Sequence, residues 1–415
     1  MLELTRPITP IHVSVKLSGS KSISNRLVVL KEVLNAKVEL INLSDSEDTQ
    51  LLLGAVEKIK SDKAATINIE HAGTDMRFLT GLLSITEGEW TLTGSERMKQ
   101  RPIAELIRAL ANLGAKINYL EKEGFPPLKI VGTTIRGGFI EIDSSISSQF
   151  ISALLLIAPR FQSGLCIKLR GKMVSAPYVD MTIKSLKCFN VKVEKNENEI
   201  RVYPSKNRAL QATFFIESDW SSASYWYSIC ALAKGSCIRL EFLNADSWQG
   251  DSVLPGLFEK LGVKTLYTDQ NLTITNTGNN CKKFEYDFID CPDIAPTLAI
   301  TCFGLGIEAR LHGLQTLKIK ESDRLSALKT ELEKLGAKTD ILDYTFVIRE
   351  TANQHLETKN LELETFNDHR IAMSFAPLAL VCKSISIKDC DVVSKSYPNF
   401  WHDLKNAGFN VNLQP

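Results

Sequence analysis

Residues 106–118 read LIRALANLGAKIN, in which apolar positions at helical spacing lead into a glycine turn and then a short β-branched strand. The same order of helix, turn and strand returns in MTIKSLKCFNVKVE (181–194), LPGLFEKLGVKTL (254–266), LKTELEKLGAKTDI (328–341) and FWHDLKNAGFNVNL (400–413). The turn residues, spaced by 76, 72, 74 and 72 positions, are Gly114, Asn190, Gly262, Gly336 and Gly408. A fainter first copy, LLLGAVEKIKSDKAATINIE, occupies residues 51–70. The sequence therefore predicts six similar units.

Each of these units mixes helix and strand, so the predicted fold class is α/β (α+β). Gly or Asn at the turn fits a helix that ends in the left-handed conformation, which costs least in Gly and next in Asn. A period of about 70 residues exceeds that of common solenoids, whose units run to roughly 50. We therefore expect closed globular domains of three units each rather than an open array.

The composition excludes several functional classes. The 415 residues are 44% apolar and 23% charged, with a net charge of +1, so no overall field draws the chain to nucleic acid or to a membrane. The nine cysteines form no CxxC pair and the six histidines show no paired spacing, which argues against disulfide and metal frameworks. The N-terminus has no export-signal pattern. We expect a cytoplasmic protein without a metal.

Seven short segments carry the residue types of an anion-binding site. They are GSKSISNR (19–26), AGTDMR (72–77), RMKQRP (97–102), SSQF (147–150), KESDR (320–324), NDHR (367–370) and SKSYPNF (394–400). The first lies between a predicted strand and a predicted helix, a geometry that directs free backbone N–H groups at an anion. Each segment taken alone is also compatible with a capped helix or a solvated charged turn.

In this order and over essentially the whole chain, the seven segments resemble the 5-enolpyruvylshikimate-3-phosphate synthase family of enolpyruvyl transferases. The resemblance implies two similar domains, each of three βαβαββ units that form an inside-out α/β barrel. It maps the first domain to residues 20–216 and the second to residues 1–19 plus 217–415. The active site is expected in the cleft between them.

The reaction implied by this resemblance transfers the enolpyruvyl group of phosphoenolpyruvate to the 5-hydroxyl of shikimate 3-phosphate, with release of phosphate. It proceeds by addition and elimination through a tetrahedral intermediate, needs no metal or organic cofactor, and belongs to the shikimate pathway of aromatic amino acid biosynthesis. The expected partners are these two small molecules alone. We expect a monomer that binds neither nucleic acid nor membrane.

The resemblance also implies a role for individual residues. Asp293 matches the base for the 5-hydroxyl, Glu321 matches the acid that protonates the methylene carbon, and Lys21 joins them as a catalytic residue. Shikimate 3-phosphate is expected to contact Lys21, Ser22, Arg26, Ser147, Ser148, Gln149, Ser175, Asp293 and Lys320. Phosphoenolpyruvate is expected to contact Lys21, Gly73, Arg101, Gln149, Arg324, Arg370 and Lys395.

The chain departs from the family pattern at a few positions. His71, Asp75 and Phe78 replace a frequent Asn, a small residue and a frequent Pro, and Thr316, next to Gln315, replaces a substrate-binding Asn. We expect Phe78 at a helix start with Gly73 one turn earlier, so that Phe78 affects the phosphoenolpyruvate pocket. Two alternatives remain: an enolpyruvyl transferase acting on a UDP-sugar, which would carry a loop Cys that residues 94–102 lack, and a non-catalytic binder of phosphorylated ligands.

Overall fold

A computed structural model of the chain describes residues 1–205, 210–349 and 356–413. The chain divides into two compact units. The terminal unit comprises Met1–Ser18 and Glu217–Pro415, and the central unit comprises Gly19–Ile216. The sequence places the first boundary one residue later, after residue 19.

The described residues form 22 strands and 12 α-helices. The strands are β1 Leu2–Thr5, β2 His12–Val15, β3 Lys37–Ile41, β4 Ala64–Asn68, β5 Glu89–Thr93, β6 Lys116–Tyr119, β7 Leu128–Val131, β8 Gly138–Asp143, β9 Leu165–Arg170, β10 Val193–Lys195, β11 Glu199–Val202, β12 Gln211–Phe215, β13 Cys237–Glu241, β14 Leu261–Thr268, β15 Asn271–Asn280, β16 Lys283–Asp287, β17 Glu308–His312, β18 Thr339–Leu342, β19 Thr345–Ile348, β20 Asn360–Leu363, β21 Ser384–Ile387 and β22 Asn410–Leu413. The helices are α1 Lys21–Leu34, α2 Glu47–Ser61, α3 Gly73–Ser84, α4 Ala104–Asn112, α5 Ser148–Ile157, α6 Ala176–Cys188, α7 Trp220–Leu232, α8 Leu254–Glu259, α9 Ala295–Gly304, α10 Arg324–Lys334, α11 His369–Phe375 and α12 Phe400–Asn406.

The terminal unit contains three four-stranded sheets of one design, with strand orders β14-β15-β13-β2, β16-β17-β19-β18 and β20-β21-β1-β22. In the second of them, β16 and β17 run parallel and β19 and β18 follow antiparallel, with α9 and α10 as the crossovers. The other two sheets take one strand each from the N-terminus: β2 lies parallel to β13, and β1 lies antiparallel between β21 and β22.

The central unit repeats this design in two four-stranded sheets, with strand orders β4-β5-β7-β6 and β10-β11-β9-β8. Its third sheet has two strands within the described ranges, β12 parallel to β3. The mixed α/β class and the repeated βαβαββ order predicted from the sequence are therefore confirmed.

The five strong repeats and the fainter first copy end differently. The five turn residues all have positive φ: Gly114 (99°), Asn190 (59°), Gly262 (80°), Gly336 (91°) and Gly408 (94°). In the first copy Asp62 follows α2 with an extended backbone, and β4 pairs parallel with β5 to open the next sheet. The strands that end the other copies pair antiparallel with a neighbour. The first copy therefore differs from the other five in that its last strand opens the next sheet, which fits its fainter sequence pattern.

Apolar helices fill the interior of each unit. In the terminal unit α9 packs against α7 and α11, and all seven residues of α11 are buried. Hydroxyl groups link these three helices, because Thr297 Oγ1 lies 3.2 Å from Ser224 Oγ and 3.1 Å from Ser374 Oγ. In the central unit α1, α3 and α5 pack against one another. Helices surrounded by protein in this way need little amphipathicity, which fits their apolar sequences.

Candidate active site

Asp293 is surrounded by cations in the terminal unit. It lies in a short 3-10 turn, Pro292–Ile294, directly before α9. Arg324 Nη1 donates to its Oδ1 at 3.0 Å, Lys320 Nζ lies 3.5 Å from the same oxygen, and Arg370 Nη2 donates to Oδ2 at 3.1 Å. Two segments distant in sequence, residues 320–324 and 367–370, therefore converge on one carboxylate, which is the arrangement expected of an anion site that also contains a base.

Arg324 is the first residue of α10 and is almost fully buried, with a side chain 1% exposed. Its Nε and Nη2 donate to the two carboxylate oxygens of Asp368 at 2.8 and 3.2 Å, and Nη2 also donates to Glu321 at 2.8 Å. Burial alone would lower the pKa of Arg324, but the charges of Asp368, Glu321 and Asp293 outweigh it and raise the pKa above its ordinary value. The guanidinium is a permanent cation in this site.

Asp368 joins two of the sequence segments. Its carboxylate caps α11 by accepting from the Arg370 backbone N–H at 3.0 Å, and it accepts from Ser322 Oγ at 2.9 Å. The run KESDR is therefore not a solvated loop, since its Ser and Arg are bound to a fully buried carboxylate. The sequence included Asp368 in the segment NDHR but assigned it no role.

Lys395 lies next to the same segment. Its Nζ donates to the Asn367 carbonyl at 2.8 Å, and the Lys395 side chain is buried. Phe366 and Asn367 both have left-handed backbones, with φ of 53° and 54°, which is uncommon for residues other than Gly. The turn before α11 is thus held in a strained conformation next to Lys395.

In the central unit, Lys21 is the first residue of α1, and its Nζ lies 2.8 Å from Asp48 of α2. Asp75 of α3 is fully buried beside this pair and accepts from Asn25 Nδ2 at 2.7 Å. Burial and the charge of Asp48 raise the pKa of Asp75 well above its ordinary value, against smaller opposing effects of Lys21 and Asn25. Sequence reasoning missed Asp48, because its relation to Lys21 depends on how α2 packs against α1.

Arg26 shares a helix face with Ser22, as predicted, and donates to the Ser22 carbonyl at 2.8 Å. Its other donors reach Thr182 Oγ1 (2.8 Å), the Tyr178 carbonyl (3.1 Å) and Ser152 Oγ (3.4 Å). Burial lowers the pKa of Arg26 to about 10, partly opposed by Tyr178. Within the described ranges no carboxylate lies within 4 Å of this guanidinium.

The predicted serines lie at helix starts. Ser147 caps α5 by accepting from the Gln149 backbone N–H at 3.3 Å, and Ser148 begins that helix. Gln149 Nε2 donates to Thr74 Oγ1 at 3.3 Å, which connects α5 to the start of α3. Ser175 precedes α6 and has a left-handed backbone with φ of 54°. Capping is therefore observed, and it leaves other hydroxyl lone pairs for a ligand.

Gly73 is the first residue of α3, and the Arg101 guanidinium lies directly against its α-carbon. A β-carbon at this position would overlap that guanidinium, so the close approach requires Gly. Arg101 is buried, whereas Lys99 pairs with Glu96 at 3.0 Å and Glu121 at 3.3 Å. Of the three cations in RMKQRP, Arg101 is thus the one placed for a buried site.

Comparison with known proteins identifies the family. A sequence model of the EPSP synthase (3-phosphoshikimate 1-carboxyvinyltransferase) family matches residues 5–404. The chain belongs to the EPSP synthase family. A 3-phosphoshikimate 1-carboxyvinyltransferase of Bacteroides fragilis strain YCH46 is 42% identical over 405 residues, covering 97% of each chain. One of Vibrio atlanticus strain LGP32 is 35% identical over 424 residues, covering 96% of this chain and 98% of that protein.

Solved structures share the fold of this EPSP synthase family member. An EPSP synthase from Acinetobacter baumannii superimposes with a TM-score of 0.77 at 21% identity, covering 99% of this chain and 100% of that one. The enolpyruvyl transferase NikO from Streptomyces tendae also gives 0.77, at 15% identity over 99% and 98% of the two chains. Because two differently named enzymes fit equally well, the fold alone does not distinguish between them.

Two departures from the EPSP synthase pattern have structural consequences. α3 begins at Gly73, so Phe78 is the sixth residue of that helix, and its expected place at the helix start was wrong. Gly73 itself occupies the first helical position, whereas the sequence placed it one turn before the helix start. Thr316 lies in the 3-10 turn Gln315–Ile319, and its hydroxyl is buried without a hydrogen-bond partner among the described residues.

The described residues contain no candidate metal site and no candidate membrane-spanning helix. In the part of the chain that the structure describes, no three His, Cys, Asp or Glu side chains are grouped so that they could hold a metal ion. In the same part, no helix combines the length and apolarity needed to cross a membrane.

Proposed function

We infer that this member of the EPSP synthase family transfers the enolpyruvyl group of phosphoenolpyruvate to the 5-hydroxyl of shikimate 3-phosphate and releases phosphate. The observation that carries this conclusion is the family match over residues 5–404, nearly the whole chain. The reaction is a step of the shikimate pathway of aromatic amino acid biosynthesis.

We propose that Asp293 and Glu321 move the protons of this reaction. Asp293 accepts the proton of the 5-hydroxyl as that oxygen attacks C2 of phosphoenolpyruvate, and Glu321 gives a proton to the methylene carbon. The tetrahedral intermediate carries both the shikimate oxygen and the phosphate. The carbon–phosphate-oxygen bond then breaks as Glu321 takes a proton back from the new methyl group, which restores the double bond.

The charges around the two carboxyl groups support these different roles. Lys320, Arg324 and Arg370 all contact Asp293, and opposite charges favour the ionised form that a base requires. Arg324 is shared by Glu321, Asp293 and Asp368, so one guanidinium serves three carboxyl groups. Within this group we assign the role of base to Asp293, which contacts three cations, and the role of acid to Glu321.

We propose that the residues predicted from the sequence bind the two substrates. Shikimate 3-phosphate contacts Lys21, Ser22, Arg26, Ser147, Ser148, Gln149, Ser175, Asp293 and Lys320. Phosphoenolpyruvate contacts Lys21, Gly73, Arg101, Gln149, Arg324, Arg370 and Lys395. The two substrates are polyanions, and these cations meet their charge without a metal or organic cofactor.

Arg26 can contact shikimate 3-phosphate only by giving up a hydrogen bond that it already makes. Its guanidinium already donates to four protein oxygens, so a direct contact with shikimate 3-phosphate replaces one of them. The contact with Ser152 is the longest, at 3.4 Å, and is the one that exchanges with least loss.

Phosphate release distinguishes the acceptor substrates. The protein is incubated with phosphoenolpyruvate and either shikimate 3-phosphate or a UDP-sugar, and inorganic phosphate is measured. We expect release with shikimate 3-phosphate alone, and a loss of 10²–10⁴-fold in Asp293→Asn and Glu321→Gln. Release with the UDP-sugar would support the sister enolpyruvyl transferase. Binding without release in either mixture would support a non-catalytic binder.

We further propose that the protein acts as a monomer in the cytoplasm. All nine cysteines are free thiols in this structure, which is the usual state in a reducing compartment. Light scattering on the purified protein measures the mass directly, to be compared with 46.2 kDa for one chain.

A further inference from the structure

Asp251 is a buried carboxyl group for which the proposed reaction has no role. It lies in the 3-10 turn Gly250–Val253 before α8 and is 3% exposed. Its Oδ2 accepts a hydrogen bond from Ser221 Oγ of α7. Its Oδ1 is buried without a hydrogen-bond partner among the described residues. An incompletely satisfied buried carboxyl group is costly, so its presence needs an explanation.

Ser221 connects this carboxyl group to the candidate site. Its hydroxyl donates to Asp251 and accepts from Arg370 Nη2 at 3.4 Å. The same Nη2 donates to Asp293 Oδ2 at 3.1 Å. A continuous path of hydrogen bonds therefore runs from Asp251 through Ser221 and Arg370 to the proposed base, and every member of it belongs to the terminal unit.

Hydrogen bonds of the nearby Gln249 fix the positions of Asp251 and Ser221 relative to each other. Gln249, two residues before Asp251, accepts from the Trp220 backbone N–H at 3.0 Å and donates to the Ser218 carbonyl at 2.9 Å. The turn that carries Asp251 is thus bonded to the start of the helix that carries Ser221. The path has little freedom to rearrange unless these backbone contacts break.

Asp251 gains or loses its proton near neutral pH. Burial raises its pKa to about 7, helped by repulsion from Asp293 and, to a smaller extent, Asp219, while Arg370 and the hydrogen bond from Ser221 oppose the rise. Cys291 also lies near Asp251, and burial together with this carboxyl group raises the pKa of its thiol. Arg370 is the cation among these neighbours, so it experiences the charge of Asp251 most directly.

We propose that Asp251 is a positioning residue for enolpyruvyl transfer, an inference that rests on the proposed function. Through Ser221 it holds the Arg370 guanidinium against Asp293, and its charge sets the affinity of that guanidinium for the anionic substrate. Loss of a proton places a second carboxylate behind Arg370, which competes with phosphoenolpyruvate for the same cation. The protonated form leaves Arg370 more strongly attractive to an anion.

The sign of the pH dependence follows from this arrangement. Affinity for phosphoenolpyruvate is greatest below pH about 7 and declines as the pH rises through the pKa of Asp251. Asp251→Asn keeps an oxygen that accepts from Ser221 but carries no charge at any pH. The ratio of kcat/KM between this variant and the unaltered enzyme cancels the ionisation of phosphoenolpyruvate itself.

Three substitutions test the proposal, with phosphate release as the assay. Asp251→Ala and Ser221→Ala each break the path, and at pH 6, where Asp251 is mostly uncharged, we expect each to lower kcat/KM for phosphoenolpyruvate about ten-fold or more, as a lost charge-assisted hydrogen bond does. The double variant should lose no more than either single one, because the residues act as a unit. Asp251→Asn should match the unaltered enzyme at pH 6 and exceed it increasingly towards pH 9.

Glu331→Gln is the matched control. Glu331 is another fully buried carboxyl group of the terminal unit, on α10, and it pairs with Lys334 at 2.6 Å. Burial also raises its pKa, but no contact links it to Arg370. Its neutralisation should leave kcat/KM and its pH profile unchanged.

Additive losses in the double variant would overturn the proposal, as would an Asp251→Asn profile parallel to that of the unaltered enzyme. A loss in Glu331→Gln equal to that in Asp251→Ala would also overturn it. If Asp251→Ala has a lowered melting temperature, Ser221→Ala and the pH profile of Asp251→Asn decide the question. Absence of phosphate release by the unaltered enzyme would instead refute the proposed function itself.

Discussion

Phe78 illustrates what a single residue does in this protein. Its ring lies 5.3 Å from the guanidinium carbon of Arg26, and the ring of Tyr178 lies 5.8 Å from the same atom. Because Arg26 is buried and its pKa is lowered by burial, these aromatic faces add to the four hydrogen bonds that stabilise its charge. Phe78 therefore supports a residue that we assign to shikimate 3-phosphate, whereas the sequence analysis placed its effect at the phosphoenolpyruvate pocket.

Phe78→Leu tests this assignment. It keeps an apolar side chain and removes the ring, so we expect KM for shikimate 3-phosphate to rise roughly five-fold, the equivalent of about 1 kcal/mol of lost cation–π interaction. KM for phosphoenolpyruvate should change by less than two-fold, on the order of the error of such comparisons. Steady-state kinetics with each substrate varied in turn gives both values.

The control for this substitution is Phe189→Leu. Phe189 is a buried ring of the same unit that packs against Phe214, with ring centroids 5.5 Å apart. The substitution Phe189→Leu should lower the melting temperature without changing the KM for either substrate. Equal increases in both KM values of Phe78→Leu would show that the ring is only part of the core.

The residues that the sequence could not predict are those whose partners are distant in the chain. Lys21 and Arg370 belong to short segments whose composition indicates anion binding, so the sequence could propose both. Asp48 pairs with Lys21 only because α2 lies against α1, and Asp251 reaches Arg370 only through a serine on a third element. Local patterns contain no information about such packing.

At the scale of elements, the helix–turn–strand pattern predicted five of the recurring pieces correctly. Each depends on a Gly or Asn with positive φ, a local requirement that is visible in the sequence. The first copy has the same local pattern up to Asp62, but its strand pairs forward into the next sheet. Strand pairing is a long-range property, so periodicity cannot decide to which sheet a strand belongs.

Asp368 holds two elements together, since it caps α11 and accepts hydrogen bonds from Nε and Nη2 of Arg324 at the start of α10. Asp368→Asn leaves Arg324 buried with one carboxylate fewer. We expect the free energy of unfolding to fall by about 3–5 kcal/mol, as when one partner of a buried ion pair is removed. Urea unfolding at pH 7 measures the change, and turnover should be lost in parallel.

Asp340→Asn is the matched control for this prediction. Asp340 also pairs with an arginine of the terminal unit, Arg349, at 2.6 Å, but both side chains are substantially exposed. Exposed pairs of this kind contribute about 0–1 kcal/mol. A loss in Asp368→Asn as small as that in Asp340→Asn would mean that the Arg324 cluster does not hold α10 and α11 together.

At the scale of the whole molecule, the chain enters and leaves the central unit at neighbouring points. A β-carbon on Gly19 would lie 3.3 Å from the Ile216 side chain, so the two ends of that unit are adjacent. In the terminal unit, the Asp219 backbone N–H donates to the Ser18 carbonyl at 3.0 Å, so its two segments are also tied together where they meet. Periodicity predicted three units to a domain, but it could not show that β1 and β2 complete sheets formed by the last half of the chain.

This arrangement predicts that residues 19–216 fold as an independent fragment. They contain their own sheets and buried helices, and adjacent termini make excision of such a unit feasible. The fragment keeps Lys21, Ser147, Ser148 and Ser175, so we expect it to bind shikimate 3-phosphate, more weakly than the whole protein. It lacks Asp293 and Glu321 and should release no phosphate. Near-UV circular dichroism tests for fixed packing, and calorimetry measures binding, with Ser147→Ala in the fragment as the control for a specific site.

A fragment without a cooperative melting transition would mean that the central unit needs the terminal unit in order to fold. A folded fragment whose affinity is unchanged by Ser147→Ala would contradict the assignment of the phosphate site to the start of α5.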